Sequence, residues 1–120
     1  MVLLVDDALE QLKLRQLILE HEGFSVATAG SASEAIAQCC GECDTVVIDL
    51  RLPTLQDGLS LIRALHERTP ATPLIVLAGF PDELKGRPEH AMVRHVLRKG
   101  NPTRVLIDLL RSTGKPPSTP

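Results

Sequence analysis

No apolar run in this 120-residue chain approaches the length of a membrane span, and no secretory signal segment is visible. The chain also lacks an excess of either charge. Thirteen Lys and Arg stand against 15 Asp and Glu, a net charge of -2, which gives no electrostatic case for direct nucleic-acid contact or for an anionic membrane surface as partner. Cysteine is scarce and local. Cys39, Cys40 and Cys43 crowd one segment, an odd set that builds no disulfide framework and suits a reducing cytosol, so a cytoplasmic location is expected. A metal site on Cys-Cys-Gly-Glu-Cys would need a fourth ligand from elsewhere, and small residues packed near a helix end are the plainer reading. What is present is enough for one domain with a real core: the chain is 43% hydrophobic.

Two short apolar runs end on acids. Val2-Leu3-Leu4-Val5 runs into Asp6 and Asp7, and Val46-Val47-Ile48 runs into Asp49. Such continuous runs read as strands buried on both faces, and Pro53 bars simple continuation into a helix or central strand. Between and after them strand and helix alternate. Residues 8–22 read as a helix with Leu14, Leu17, Ile18 and His21 at three- and four-residue spacing, capped by Gly23. Phe24 to Thr28 reads as a less apolar, edge strand. Ser31 and Glu34 fit a capping box opening a helix to about Cys40, and a central strand follows over 44–49. Gly58 leads into a helix to about Arg68, with Leu59, Ile62 and Leu65 inward. Leu74 to Ala78 is a further buried strand. A helix begun at Asp82 is interrupted by Gly86 and Pro88. His95 to Arg98 reads as the last strand, and Asn101-Pro102 as the cap and first residue of a helix to about Ser112. The Pro/Ser/Thr-rich stretch 113–120 is expected to be a disordered tail after a domain of residues 1–112. Five alternations imply a parallel sheet covered on both faces.

If the first and third strands are adjacent, Asp6, Asp7 and Asp49 meet at the carboxyl edge of the sheet, where open α/β sheets place their sites. Three clustered carboxylates raise one another's pKa unless a cation joins them. Magnesium suits such oxygen donors, keeps several waters and binds phosphate oxygens in addition. An aspartate beside it can act as nucleophile toward a phosphoryl group, and Lys99, at the end of the last strand, is a point charge able to hold a phosphoryl oxygen. Singly, each has a bland reading: an Asp after a strand caps a turn or helix, and a Lys there is solvated. The combination carries the weight.

With Val5-Asp6-Asp7, Asp49-Leu50-Arg51-Leu52-Pro53, Gly58 and Lys99 at these spacings, the chain from Val2 to Arg111 resembles a response-regulator receiver domain. The resemblance implies a flavodoxin-like, doubly wound five-stranded parallel sheet of order 2-1-3-4-5 with five helices, the fourth short or irregular. It implies that Asp49 is the phosphoacceptor, that Asp6 and Asp7 bind Mg2+ with Asp49, that Arg51 offers its backbone carbonyl to the metal, and that Lys99 is the family lysine. It further implies a histidine kinase or a histidine phosphotransfer protein as donor, and a signalling role in a two-component phosphorelay with only self-catalysed phosphotransfer and dephosphorylation. The Arg-Leu-Pro form, with one extra residue before Gly58, resembles receivers attached to hybrid sensor kinases.

The chain departs from the family at three places. Ala78 stands where a Thr or Ser hydroxyl is usual, Val96 where the switch aromatic falls, in a chain without Tyr or Trp, and Gly100 where a proline usually follows the lysine. The acids and Lys99 suffice for phosphoryl acceptance, whereas the usual hydroxyl-aromatic coupling lacks both its parts. A competing expectation is therefore a degenerate receiver acting as an interaction module independent of phosphate. A phosphatase using Asp49 would need a general acid two residues on, where Arg51 stands. A flavodoxin-like cofactor binder would need a hydroxyl- or glycine-rich cradle after the first strand, where Asp6-Asp7-Ala8-Leu9-Glu10 stands.

Overall fold

A computed structural model describes residues 1–38 and 43–113. Five strands, β1 (Val2–Val5), β2 (Val26–Ala29), β3 (Thr45–Asp49), β4 (Leu74–Ala78) and β5 (His95–Arg98), form one parallel sheet in the order β2-β1-β3-β4-β5. Four α-helices cover it: α1 (Leu9–His21), α2 (Ala32–Gln38), α3 (Leu55–Arg68) and α4 (Thr103–Thr113). Among the described residues the α-helices number four, and the expected fourth of five, short or irregular, is the irregular one. In place of the fourth lie two short 3-10 turns, Pro81–Glu83 and Pro88–Met92. Between them Gly86 takes a φ of +77°, a value that side-chain-bearing residues rarely adopt, and Pro88 can open a helical turn but not continue one.

Alternation along the strands sorts the aliphatic residues into two cores. Leu3, Val5, Val46, Ile48, Leu74 and Val76 pack with α2 and α3. Val2, Leu4, Val47, Ile75 and Leu77 pack with α1 and α4. Every residue of β1, β3 and β4 is buried, as the unbroken apolar runs imply for strands with helices on both faces.

Several boundaries and faces differ from the sequence reading. β2 begins at Val26 rather than Phe24. On α1 the buried leucines are Leu12 and Leu19, whereas Leu14 and Leu17 are 58% and 56% exposed. Leucines lie on all sides of that helix, so spacing could not select the inward face. Helix α3 starts at Leu55, ahead of Gly58. Thr54 is its cap, with the Thr54 hydroxyl accepting from the Asp57 N–H at 3.2 Å and the Asp57 carboxylate accepting from the Thr54 N–H at 3.3 Å. Gly58 sits within the first turns because a Cβ there would lie 1.7 Å from the Leu50 carbonyl oxygen. Helix α4 starts at Thr103, one residue past Pro102. Ser31 does cap α2, accepting the Glu34 N–H at 3.2 Å. Cys43 is buried; Cys39, Cys40 and the segment 114–120 lie outside the described residues.

Candidate functional site

The strand register builds the site. Val5 pairs with Ile48, so Asp6, the next residue, comes level with Asp49, which pairs with Leu77. Ala78 pairs with Arg98, and Lys99 follows, its N–H donating to the Ala78 carbonyl at 2.8 Å. All three acids therefore leave the carboxyl ends of β1 and β3. The chain runs from β1 to one neighbour, β2, and later returns to the other, β3, so the crevice between β1 and β3 is the switch point where doubly wound sheets carry their ligands.

Ligand oxygens of Asp6, Asp7 and Asp49 lie within 4.8 Å of one another. Asp6 is 1% and Asp49 6% exposed, while Asp7 is exposed. Lys99 Nζ donates to Asp49 Oδ2 at 2.8 Å, and the Arg51 N–H donates to Asp49 Oδ1 at 3.3 Å. Burial pushes the Asp49 carboxyl above its ordinary range; the Lys99 contact pulls the other way, and the Asp6 charge adds to the rise. A set of hard carboxylate oxygens with one exposed member fits a small divalent cation that keeps part of its water shell.

The structure brings together all of the expected acids and Lys99. Of the three departures, Ala78 is buried at the end of β4, Val96 packs partly buried against the core beneath α3, and Gly100, after Lys99, takes a φ of +99°. Three ion pairs join residues that no sequence motif links. Arg15 of α1 donates from Nη1 to Asp6 Oδ2 at 3.3 Å. Its signal was a charge between Leu12 and Leu19 on one helical stripe. The Arg51 side chain forms an ion pair with Glu83 and so ties the loop after β3 to the first 3-10 turn. Arg63 pairs with the buried Glu89 and ties α3 to the second.

Fold and site define a doubly wound α/β domain with clustered carboxylates and a lysine at its switch point. Residues 2–111 match the family model described as "Response regulator receiver domain", and the chain belongs to that family. Among curated proteins it is 33% identical to the C4-dicarboxylate transport transcriptional regulatory protein DctD of Pseudomonas aeruginosa, over 92% of this chain and 24% of that protein. It is 38% identical to the DctD protein of Rhizobium meliloti over 68% of this chain and 18% of that one, and 39% identical to the transcriptional regulatory protein AruR of P. aeruginosa over 69% and 36%. The chain thus spans a minor part of each of these relatives. Among solved structures, a response regulator receiver domain protein of Clostridium thermocellum superposes with a TM-score of 0.82 at 26% identity, covering 93% of this chain and 91% of that one. The response regulator protein TrrA of Thermotoga maritima, in complex with Mg(2+)-BeF, superposes with a TM-score of 0.83 at 19% identity over 93% and 96%. Among the described residues no helix is long and apolar enough to cross a membrane.

Proposed function

We propose that this receiver takes a phosphoryl group onto Asp49 from the phosphohistidine of a histidine kinase or of a histidine phosphotransfer protein, in a magnesium-dependent reaction. One observation carries the reading: Lys99 Nζ sits 2.8 Å from Asp49 Oδ2 inside a group of three carboxylates. Asp7 and Asp49 would hold the metal with the backbone carbonyl of Arg51, and Asp6 would support them. The TrrA complex with Mg(2+)-BeF, on the same fold, is in keeping with this. When bound, magnesium neutralises the acids and aligns the incoming phosphoryl oxygens. The chain's own residues do the rest. Asp49, held by the Arg51 N–H and Lys99, presents a carboxylate oxygen to phosphorus. The new P–O bond forms as the P–N bond breaks, and the electron pair returns to the imidazole nitrogen of the donor. Lys99 then holds a phosphoryl oxygen by charge. In this reading the domain runs over residues 1–112, works in the cytoplasm, and is a signalling unit whose only chemistry is its own phosphorylation and dephosphorylation. The larger protein it serves is a transcriptional regulator or a hybrid kinase, and the curated relatives named above favour the former.

Incubation with acetyl phosphate and magnesium should add one phosphoryl group by intact mass, and none in Asp49→Ala. Modification that persists in that variant would place the acceptor elsewhere. A second reading, an interaction module not switched by phosphate, is favoured by the buried methyl of Ala78 where a hydroxyl is usual and by Val96. Beryllofluoride with magnesium separates the two, because only the first reading requires it to bind at Asp49.

A further inference from the structure

Arg15 is a charge set into an apolar stripe. Leu12 and Leu19, three residues before it and four after, are buried on the face that α1 turns to the sheet. The Arg15 side chain is only 18% exposed, and its Nη1 lies 3.3 Å from Asp6 Oδ2. The other oxygen of the same carboxylate, Oδ1, accepts the Ala8 N–H at 2.9 Å. Both oxygens of the buried acid are thus engaged from within the protein, one of them by a cation. Lys99 engages Asp49 in the same way. Three carboxylates facing two cations leave one net negative charge where a divalent ion would sit.

We propose that Arg15 is a built-in counter-ion for Asp6 that competes with magnesium, a positioning residue that sets the metal affinity of this site. The inference rests on the reading of Asp6, Asp7 and Asp49 as the magnesium site. Without metal, a buried Asp6 beside two other carboxylates is costly unless a cation joins it, and Arg15 is that cation. The same guanidinium repels an arriving ion. A cavity of about 110 Å3 opens beside the pair, lined by Gln11, Arg15, Arg98, Lys99, Asn101 and Thr103. It gives the guanidinium room to withdraw toward the side-chain oxygens of Gln11, Asn101 and Thr103, while Arg98 and Lys99 on the same wall oppose it by charge. By linkage, stability that the pair adds to the metal-free fold is subtracted from metal binding. Loading of the site then needs a higher free magnesium level than in a receiver without this arginine.

Calorimetric titration with magnesium chloride at fixed ionic strength, with thermal unfolding by circular dichroism in its absence and presence, tests this. Arg15→Gln and Arg15→Met should bind magnesium on the order of three- to tenfold more tightly, the effect of one unit charge a side-chain diameter away in a water-like dielectric. Their metal-free Tm should fall, and their gain in Tm with magnesium should exceed that of the wild type. Arg15→Lys, which keeps the charge, should bind like the wild type. A purely structural arginine would lower Tm equally with and without metal and leave affinity unchanged; that result, or weaker binding in Arg15→Gln, overturns the proposal. Met keeps the aliphatic stem of the arginine and carries the comparison should Arg15→Gln fail to fold. Asp7→Asn separates the two levels. If it binds as well as the wild type, or if no variant binds saturably, the site reading fails and the counter-ion role falls with it. If Asp7→Asn loses binding while Arg15→Gln matches the wild type, only the counter-ion role fails.

Discussion

Asp49 is buried between a lysine and another acid, and the balance of these three influences sets its behaviour. Its carboxyl is pushed above the ordinary value of 3.8, first by loss of water and then by the Asp6 charge, against the pull of Lys99. A carboxyl raised in the folded state stabilises the fold below its unfolded pKa, and that contribution is lost as pH rises through the folded pKa. At pH 7, above the ordinary carboxyl range, Asp49 without metal therefore burdens the fold. Asp49→Asn should be more stable than the wild type there by on the order of 1 kcal/mol, the size of a screened like-charge contact. The gap should close as pH falls below about 4, where the unfolded carboxylate also protonates. Urea denaturation in chelator at the two pH values measures both; a wild type more stable than the variant at pH 7 would show that Lys99 outweighs burial. Asp6, Asp7 and Asp49 were each legible because acids directly after an apolar run announce themselves, and Lys99 because it ends the last strand at the spacing the receiver resemblance calls for. Arg15 was not, because its partner lies across a turn that only the folded chain closes.

At the scale of elements, the start of α3 is set by contact with another segment. Gly58 lies against the Leu50 carbonyl with no space for a Cβ. Gly58→Ala would gain about 1 kcal/mol in an isolated helix, but here it should cost about 3 kcal/mol or more, since the clash is with backbone that cannot yield. A urea midpoint equal to or above the wild type's would show that the loop after β3 shifts freely. The segment from Phe80 to Arg94 makes a second case. Its two 3-10 turns supply few ladder hydrogen bonds, and side-chain ion pairs, Glu83 with Arg51 and Glu89 with Arg63, tie it to the body. Its amides should exchange at least about tenfold faster than those of buried α3, as expected of locally opening segments. Equal protection would mean the ion pairs and packing hold it as firmly as a helix. Gly86 and Pro88 made the break readable in advance, whereas the Arg partners, 26 and 32 residues away along the chain, did not.

The whole molecule is one sheet between two aliphatic cores, without a tryptophan or tyrosine to fill space. Both cores share β1, β3 and β4, so loosening one should unfold both. Leu19→Ala removes a fully buried side chain beneath α1, and Ile62→Ala one beneath α3. Each should cost about 2–5 kcal/mol by transfer and cavity formation. Each should also lower a single cooperative transition. Coincident unfolding curves by circular dichroism and by pulsed hydrogen exchange of the opposite face would bear this out; two separated transitions in either variant would show cores that melt independently.

The alternation of strand and helix, and an acid at the end of the first and third strands, followed from local signals: unbroken apolar runs with helical stretches between them. These are short-range properties that a chain carries wherever it goes. The order 2-1-3-4-5 came only with the resemblance to receiver domains. The tertiary structure decided the rest, and in each case for a long-range reason. The inward face of α1 was settled by the sheet it met, since leucines on every side left its periodicity mute. Gly58 was drawn inside α3 by a carbonyl eight residues away in sequence, and the missing helix was replaced by turns tethered through Arg51 and Arg63. Arg15 became part of the acidic site because burial of Asp6 leaves its charge in want of a partner, and folding brings that guanidinium within reach.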